Sequence, residues 1–284
     1  MKHTRFSHPL HKDFANCLED ANRGARSLWQ TFSDFLECSY LSVSQAAHKL
    51  QHGALCPDKE QRYLDAIRKQ QHPEKFPEAF AILVEGLERD RYDFLGTVAS
   101  ELELLNQWNG QFFTPRPISE MMASMIIGEP KPDRAHRLTI CEPACGAGAM
   151  AIAAARHLQH LDFYPWHYWL DCQDVDFRMF QACYVQLTLC GIPAVVRRGN
   201  TLSSETPFSE LTLLGAMHPR IFTAEERATA EAERARLEAL RSQGPATSVA
   251  DPPRPQTPSR LPRPRAIARA AATLTGQTEF AFVA

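Results

Sequence analysis

From Ile140 to Gly148 the chain reads Ile-Cys-Glu-Pro-Ala-Cys-Gly-Ala-Gly. An apolar run precedes this stretch and an Ala-rich run follows it, so the two glycines fall on a strand-to-helix turn. Glycine there lets the backbone turn tightly and approach a ligand, as in nucleotide-type sites. Many such turns also use glycine for packing alone. Asp174 closes the next strand-like segment. A carboxylate at that position can accept both hydroxyls of a ribose, while Asp176 reads as the N-cap of the helix that begins at Phe177. A third stretch, Gly110 to Pro117, contains Thr114-Pro115, which reads as a helix start with proline at its first position. Cys141 and Cys145 are the closest pair of cysteines. No second pair or His couple complements them, as zinc spacing would require.

These residues need elements to hold them. Residues 1–108 read as mostly helical. Phe94, Leu95, Val98, Leu102 and Leu105 share one face, and Gln107-Trp108-Asn109-Gly110 stops that helix. Beyond it, strand-like and helix-like segments alternate. Strands are expected at Leu138–Cys141, Trp166–Asp174, Ala194–Val196 and Leu211–Leu214. Phe177, Phe180, Tyr184 and Leu187 mark an amphipathic helix. Alternation of this kind predicts a parallel α/β sheet. The expected organisation is a helical region over 1–108, an α/β domain over 109–222, a solvated helix over 223–244 and a Pro/Arg/Ala-rich tail over 245–284, largely disordered. Residues 245–264 hold seven prolines, a composition that does not build a core.

Composition bounds the function. Of 284 residues, 44% are hydrophobic and 23% charged, with a net charge of −2, ordinary for a soluble globular chain. The balance gives no global nucleic-acid footprint. The longest uninterrupted apolar run, Ala149 to Ala155, is far shorter than the roughly 20 residues a membrane helix needs. The first residues lack an apolar signal region, so the cytoplasm is the expected location. Eight cysteines, set among apolar residues, read as reduced thiols.

Gly110–Pro115, Glu142–Gly148 and Asp174 together resemble the cofactor-binding motifs of adenine-N6 DNA methyltransferases, in particular the modification-subunit type of type I restriction systems. Glu142 stands where that family usually has Asp, and Ala147 where it has Thr. Tyr92-Asp93-Phe94-Leu95-Gly96 is similar to the helix leading into that domain. Arg198-Gly199-Asn200-Thr201-Leu202 is similar to the family's third motif, whose Asn200 position contacts the cofactor adenine. The resemblance covers about residues 92 to 202. It implies an α/β, Rossmann-like S-adenosylmethionine-dependent methyltransferase fold, incomplete in its later strands and preceded by a helical N-terminal region. The cofactor would be S-adenosyl-L-methionine. The positions on its side would be Gln111, Phe112, Phe113, Thr114, Pro115, Arg116, Glu142, Ala144, Cys145, Gly146, Gly148, Asp174 and Asn200, with no metal. Double-stranded DNA would be the substrate, with specificity or restriction subunits as partner chains.

The family's chemistry also needs Asn-Pro-Pro-Tyr/Phe at the end of the fourth strand. There the Asn side chain and a Pro carbonyl accept hydrogen bonds from the amino group of a flipped adenine, and the ring stacks on the base. Here the expected fourth strand leads into Met217-His218-Pro219-Arg220. His218, Pro219 and Phe222 are the only substitutes nearby. Asp251-Pro252-Pro253-Arg254 has no strand before it and no aromatic residue. The reading is therefore an adenine-N6 DNA methyltransferase-like protein, weak or inactive alone. The alternative is a non-catalytic cofactor- or partner-binding protein on the same scaffold.

Overall fold

The structure is a computed structural model. It describes residues 6–104, 114–132, 137–221 and 263–275, with the backbone alone for 218–221. Helix starts follow local capping chemistry. Helix α1 (Pro9–Asn22) opens on proline behind the N-cap His8. Helix α2 (Leu28–His52) opens on a capping box, Ser27 accepting the Gln30 N–H while the Gln30 side chain accepts the Ser27 N–H. Helices α3 (Pro57–Ile67), α4 (Lys75–Arg89) and α5 (Phe94–Glu101) follow. Phe14 of α1 meets Phe35 and Phe94 edge-on, with centroids 5.0 and 5.4 Å away, a favoured arrangement of ring quadrupoles.

Helix α6 (Arg116–Ile127) leads to strand β1 (Leu138–Glu142), helix α7 (Ala149–His160) and strand β2 (Tyr168–Asp174). Helix α8 (Phe177–Leu189) and strand β3 (Ala194–Asn200) complete a second βαβ unit. Strand β1 pairs parallel with β2, Ile140 opposite Leu170, and β2 pairs parallel with β3, Leu170 opposite Ala194. The expected strand at Trp166 begins two residues later, after a short 3-10 turn at Pro165–His167.

The fourth strand is where the structure departs from expectation. Strand β4 is Glu205–Leu211, and it runs antiparallel to β3 on the side away from β2. Leu213–Ile221, expected in part as a strand, forms helix α9. Two local causes are visible. A Cβ on Gly199 would lie 1.9 Å from the Glu205 carbonyl oxygen, so only glycine lets the returning chain come that close. Thr212 then caps the helix, its Oγ1 accepting the Gly215 N–H at 3.1 Å. The ion pair of Lys59 with Glu210, 2.6 Å, fastens β4 to α3.

The helical region and the sheet share one core rather than two. Tyr40 of α2 packs at 5.3 Å from both Phe180 and Tyr184 of α8, and all three are buried. A last helix, α10 (Pro264–Thr275), corrects part of the expected disordered tail. It packs on α2 and buries Ile267, Ala268 and Ala271, with Ile267 and Ala271 against Ala46 and Leu213. Its period of small and apolar residues amid arginines supplies one narrow stripe. The expected helix over 223–244 and the proline-rich stretch to 262 lie outside the described residues. Among the described residues, no helix is long and apolar enough to cross a membrane.

Truncating Ile267 to alanine should cost about 2–4 kcal/mol, the usual range for a buried large-to-small change. Denaturant unfolding of the two proteins measures this. Equal midpoints and slopes would mean that α10 does not dock on α2.

Candidate functional site

The loop after β1 is fixed at nearly every residue. Gly146 and Gly148 both have positive φ, 53° and 106°, a region unfavourable for residues with a Cβ. The two glycines have different neighbours. A Cβ on Gly148 would meet Cys183 Sγ at 3.3 Å, so this glycine lets α7 approach α8. Among the described residues, no atom lies within 4 Å of where a Cβ on Gly146 would be, so the backbone there is not covered by any of them. The Glu142 carboxylate accepts the Ala144 N–H at 3.3 Å. The Cys145 N–H donates to the Gln173 carbonyl at 2.9 Å, and its buried thiol contacts Cys183 beneath the loop. Ala144 is exposed at the tip.

Asp174 stands at the end of β2, beside this loop. Its Oδ2 accepts the Gly146 N–H and its Oδ1 the Asp176 N–H, each at 2.9 Å. Burial raises its pKa against the opposing pull of those N–H groups. The carboxylate therefore has a structural task that the sequence did not announce. A carboxylate has about four acceptor positions, so part of its capacity remains. Asp176 caps α8 as expected, accepting the Arg178 N–H at 2.8 Å. Burial alone would raise the Asp176 pKa, but the Arg178 side chain and backbone bonds carry it down.

Asn200 ends β3, and its Oδ1 accepts the Leu202 N–H at 3.0 Å in a tight turn. Thr201 Oγ1 donates to the Pro143 carbonyl at 2.7 Å, joining that turn to the glycine loop. Two residues missed in the sequence flank the same end of the sheet. Val175 is 66% exposed and Leu202 98%. Both stand at the tips of adjacent strands, Val175 directly after β2 and Leu202 two residues after β3. Each directly follows a polar residue already singled out or lies two beyond one, and that was the available signal.

Thr114, Pro115 and Arg116 sit at the start of α6. The helix begins one residue later than expected, with Pro115 as N-cap and Pro117 inside the first turn. Arg116 is engaged with Asp90 and, at 2.8 Å, with Glu120. Arg156 of α7 joins the same group, pairing with Asp90 at 2.6 Å. Arg116 thus ties α6 to the end of α4, and Arg156 brings α7 into the same group. Gln111, Phe112 and Phe113 lie outside the described residues. Beside Thr114 is a cavity of about 630 Å³ lined by Ser7, His11, Tyr92, Asp93, Glu101 and Arg116, among others. In its wall His11 Nδ1 lies 2.9 Å from Glu101, and Nε2 faces the Tyr92 hydroxyl. Among the described residues no group of three His, Cys, Asp or Glu could hold a metal ion.

Two of the three expected catalytic candidates are not at a strand end. His218 and Pro219 fall within α9, so the chain carries them along a helix beside β3 and β4 rather than into the end of the sheet near Gly146. Their side chains and Phe222 lie outside the described residues.

Residues 92–213 match the family described as N-6 DNA methylase. Over this segment the chain is similar to that family. The matched segment is a little under half of the chain, and it begins inside the helical region, at Tyr92. Among solved structures, the chain is similar to the methyltransferase subunit of a type I restriction-modification system from Streptococcus thermophilus. The identity is 12% and the TM-score 0.36, over 69% of this chain and 58% of that one. The chain thus spans less than two thirds of that subunit. No curated protein matches.

Burial lowers the His11 pKa below its ordinary 6.5, and the neighbouring Glu101 offsets only part of this. A folded-state pKa below the unfolded one means that the fold favours neutral His11. That contribution is complete above about pH 6.5 and is lost as pH falls toward the lower folded value. Stability measured between pH 7.5 and 5.5 should fall less in His11→Gln than in the wild type. An identical pH slope in both would show that another group carries the dependence.

Proposed function

We propose that this chain binds S-adenosylmethionine on the loop from Glu142 to Gly148. We further propose that it is an adenine-N6 DNA methyltransferase-like protein whose methyl transfer, as a chain alone, is very weak or absent. The observation that carries the first part is the Gly146 backbone, uncovered by the described residues, next to a carboxylate and two exposed apolar side chains. Those residues fit the cofactor. Asp174 would accept the ribose hydroxyls with its remaining acceptor positions. Val175 and Leu202 would cover the faces of the purine, and the Asn200 turn would border its edge. Thr114 and the Gln111–Arg116 segment would close the methionine end. The bound cofactor would supply an electrophilic methyl group.

The second part rests on topology. In doubly wound sheets, ligands sit where the strand order reverses beside β1. Among the described residues the order is β1-β2-β3-β4 with no reversal. Among the described residues only β2 stands beside β1, and no strand end faces it from the other side. Without an acceptor for the adenine amino group and a ring for the flipped base, several kcal/mol of transition-state stabilisation are missing, and each 1.36 kcal/mol is about tenfold in rate. DNA as substrate, specificity or restriction subunits as partners and a cytoplasmic location belong to this same reading.

Calorimetric titration with S-adenosylmethionine should show binding. Asp174→Ala should weaken it by about 1.5–3 kcal/mol, the worth of charge-assisted hydrogen bonds. No heat with the wild type would refute the cofactor reading. Tritiated methyl transfer to unmethylated genomic DNA should stay at background. Robust transfer that Asp174→Ala abolishes would overturn the claim of weak or absent activity.

A further inference from the structure

Gln186 lies in the last turn of α8 and is fully buried. Its Oε1 accepts the Leu95 N–H at 3.0 Å. Its Nε2 donates to Asp93 Oδ1 and to the Ala147 carbonyl, each at 2.8 Å. One partner can only donate and two act as acceptors, so the amide has a single orientation. Asp93 Oδ1 also accepts the Gly96 N–H at 2.8 Å, capping α5. One side chain therefore bonds the Asp93–Leu95 segment on one side and the glycine loop on the other.

We infer that Gln186 is a positioning residue for the cofactor loop, and that through it the Asp93–Gly96 turn sets the loop's conformation. The inference rests on the reading that this loop takes the cofactor. Asp174 holds Gly146 from the sheet side, and Gln186 holds Ala147, the next residue, from the helix side. Two successive residues are pinned from opposite directions. A loop so held meets its ligand without being ordered at that moment, and preorganisation of this kind raises affinity. Geometry, not charge, is what Asp93 supplies. Both of its bonds go to one oxygen, and an asparagine carbonyl can stand in its place.

The test uses the full chain and two readouts, hydrogen exchange at the amides of residues 144–149 without ligand and calorimetric binding of S-adenosylmethionine. Gln186→Leu should speed exchange at Gly146 and Gly148 at least tenfold and weaken binding at least tenfold. Gln186→Glu places a second carboxyl beside Asp93 and removes the donor to Ala147. Its binding should be poorest near pH 8 and recover toward pH 5, where a protonated glutamic acid regains one donor. A side chain that merely fills space would not give that profile. Asp93→Asn should lose much less than Asp93→Leu. If Gln186→Leu does not fold, Gln186→Glu and the Asp93 pair carry the test. Wild-type exchange rates in folded Gln186 variants would overturn the inference, as would Asp93→Asn losing as much as Asp93→Leu. If the wild type does not bind S-adenosylmethionine, the cofactor reading fails, and the exchange rates still decide whether Gln186 positions the loop.

Discussion

The buried amide of Gln186 is the point at which the helical region, the glycine loop and the helix after β2 become one body. Burying an amide without partners costs roughly 1–3 kcal/mol, so a fully buried glutamine is tolerable only where all its bonds are made. Here they are made to two segments that the chain visits separately, the Asp93–Leu95 helix start and the loop at Ala147. The bonds require α5, the loop and α8 to arrive together. Around them the core is continuous, from Phe14 and Tyr40 in the helices to Phe180 and Tyr184 over the sheet. A boundary near residue 108 therefore does not separate two cores.

The second constraint is the return of the chain after β3. Gly199 admits the Glu205 carbonyl at a distance no side chain would permit, and the chain folds back instead of crossing to the far side of β1. Among the described residues the sheet therefore gains an antiparallel edge strand beside β3, with β1 at the opposite edge. Helix α6 lies along α7. Its outer residues are apolar, Met125 and Ile126 each being 74% exposed. The described residues build two βαβ units with their loops and no strand on the far side of β1.

Much of this was legible in the sequence, for physical reasons. Strands β1, β2 and β3 alternate or run apolar between turn residues, so their places were found, although β3 runs four residues past the expected Val196 to Asn200. The glycine loop, Asp174 and the Asp176 cap were found because each needs a particular residue type at a particular place. Strand β4 was not legible. Glu205-Thr206-Pro207-Phe208-Ser209-Glu210 is polar and holds a proline, which suits an edge strand but reads as a loop. The apolar Leu211–Leu214 run fits strand or helix equally, and the Thr212 cap decides it. Gln186 was invisible because a glutamine on an apolar helix face signals nothing until its partners, distant in sequence, are in place. The same holds for the second role of Asp174, which is set by the neighbouring Gly146 N–H.

A crystal structure of the full chain grown with S-adenosylhomocysteine, the product left after methyl transfer, tests the central claim most directly. The account predicts the nucleoside over Gly146, its ribose hydroxyls on Asp174, its purine between Val175 and Leu202, and the Gln186 bonds to Asp93 and Ala147 unchanged. Ligand bound elsewhere at saturating concentration, or a loop rearranged with the Gln186 bonds broken, would contradict it.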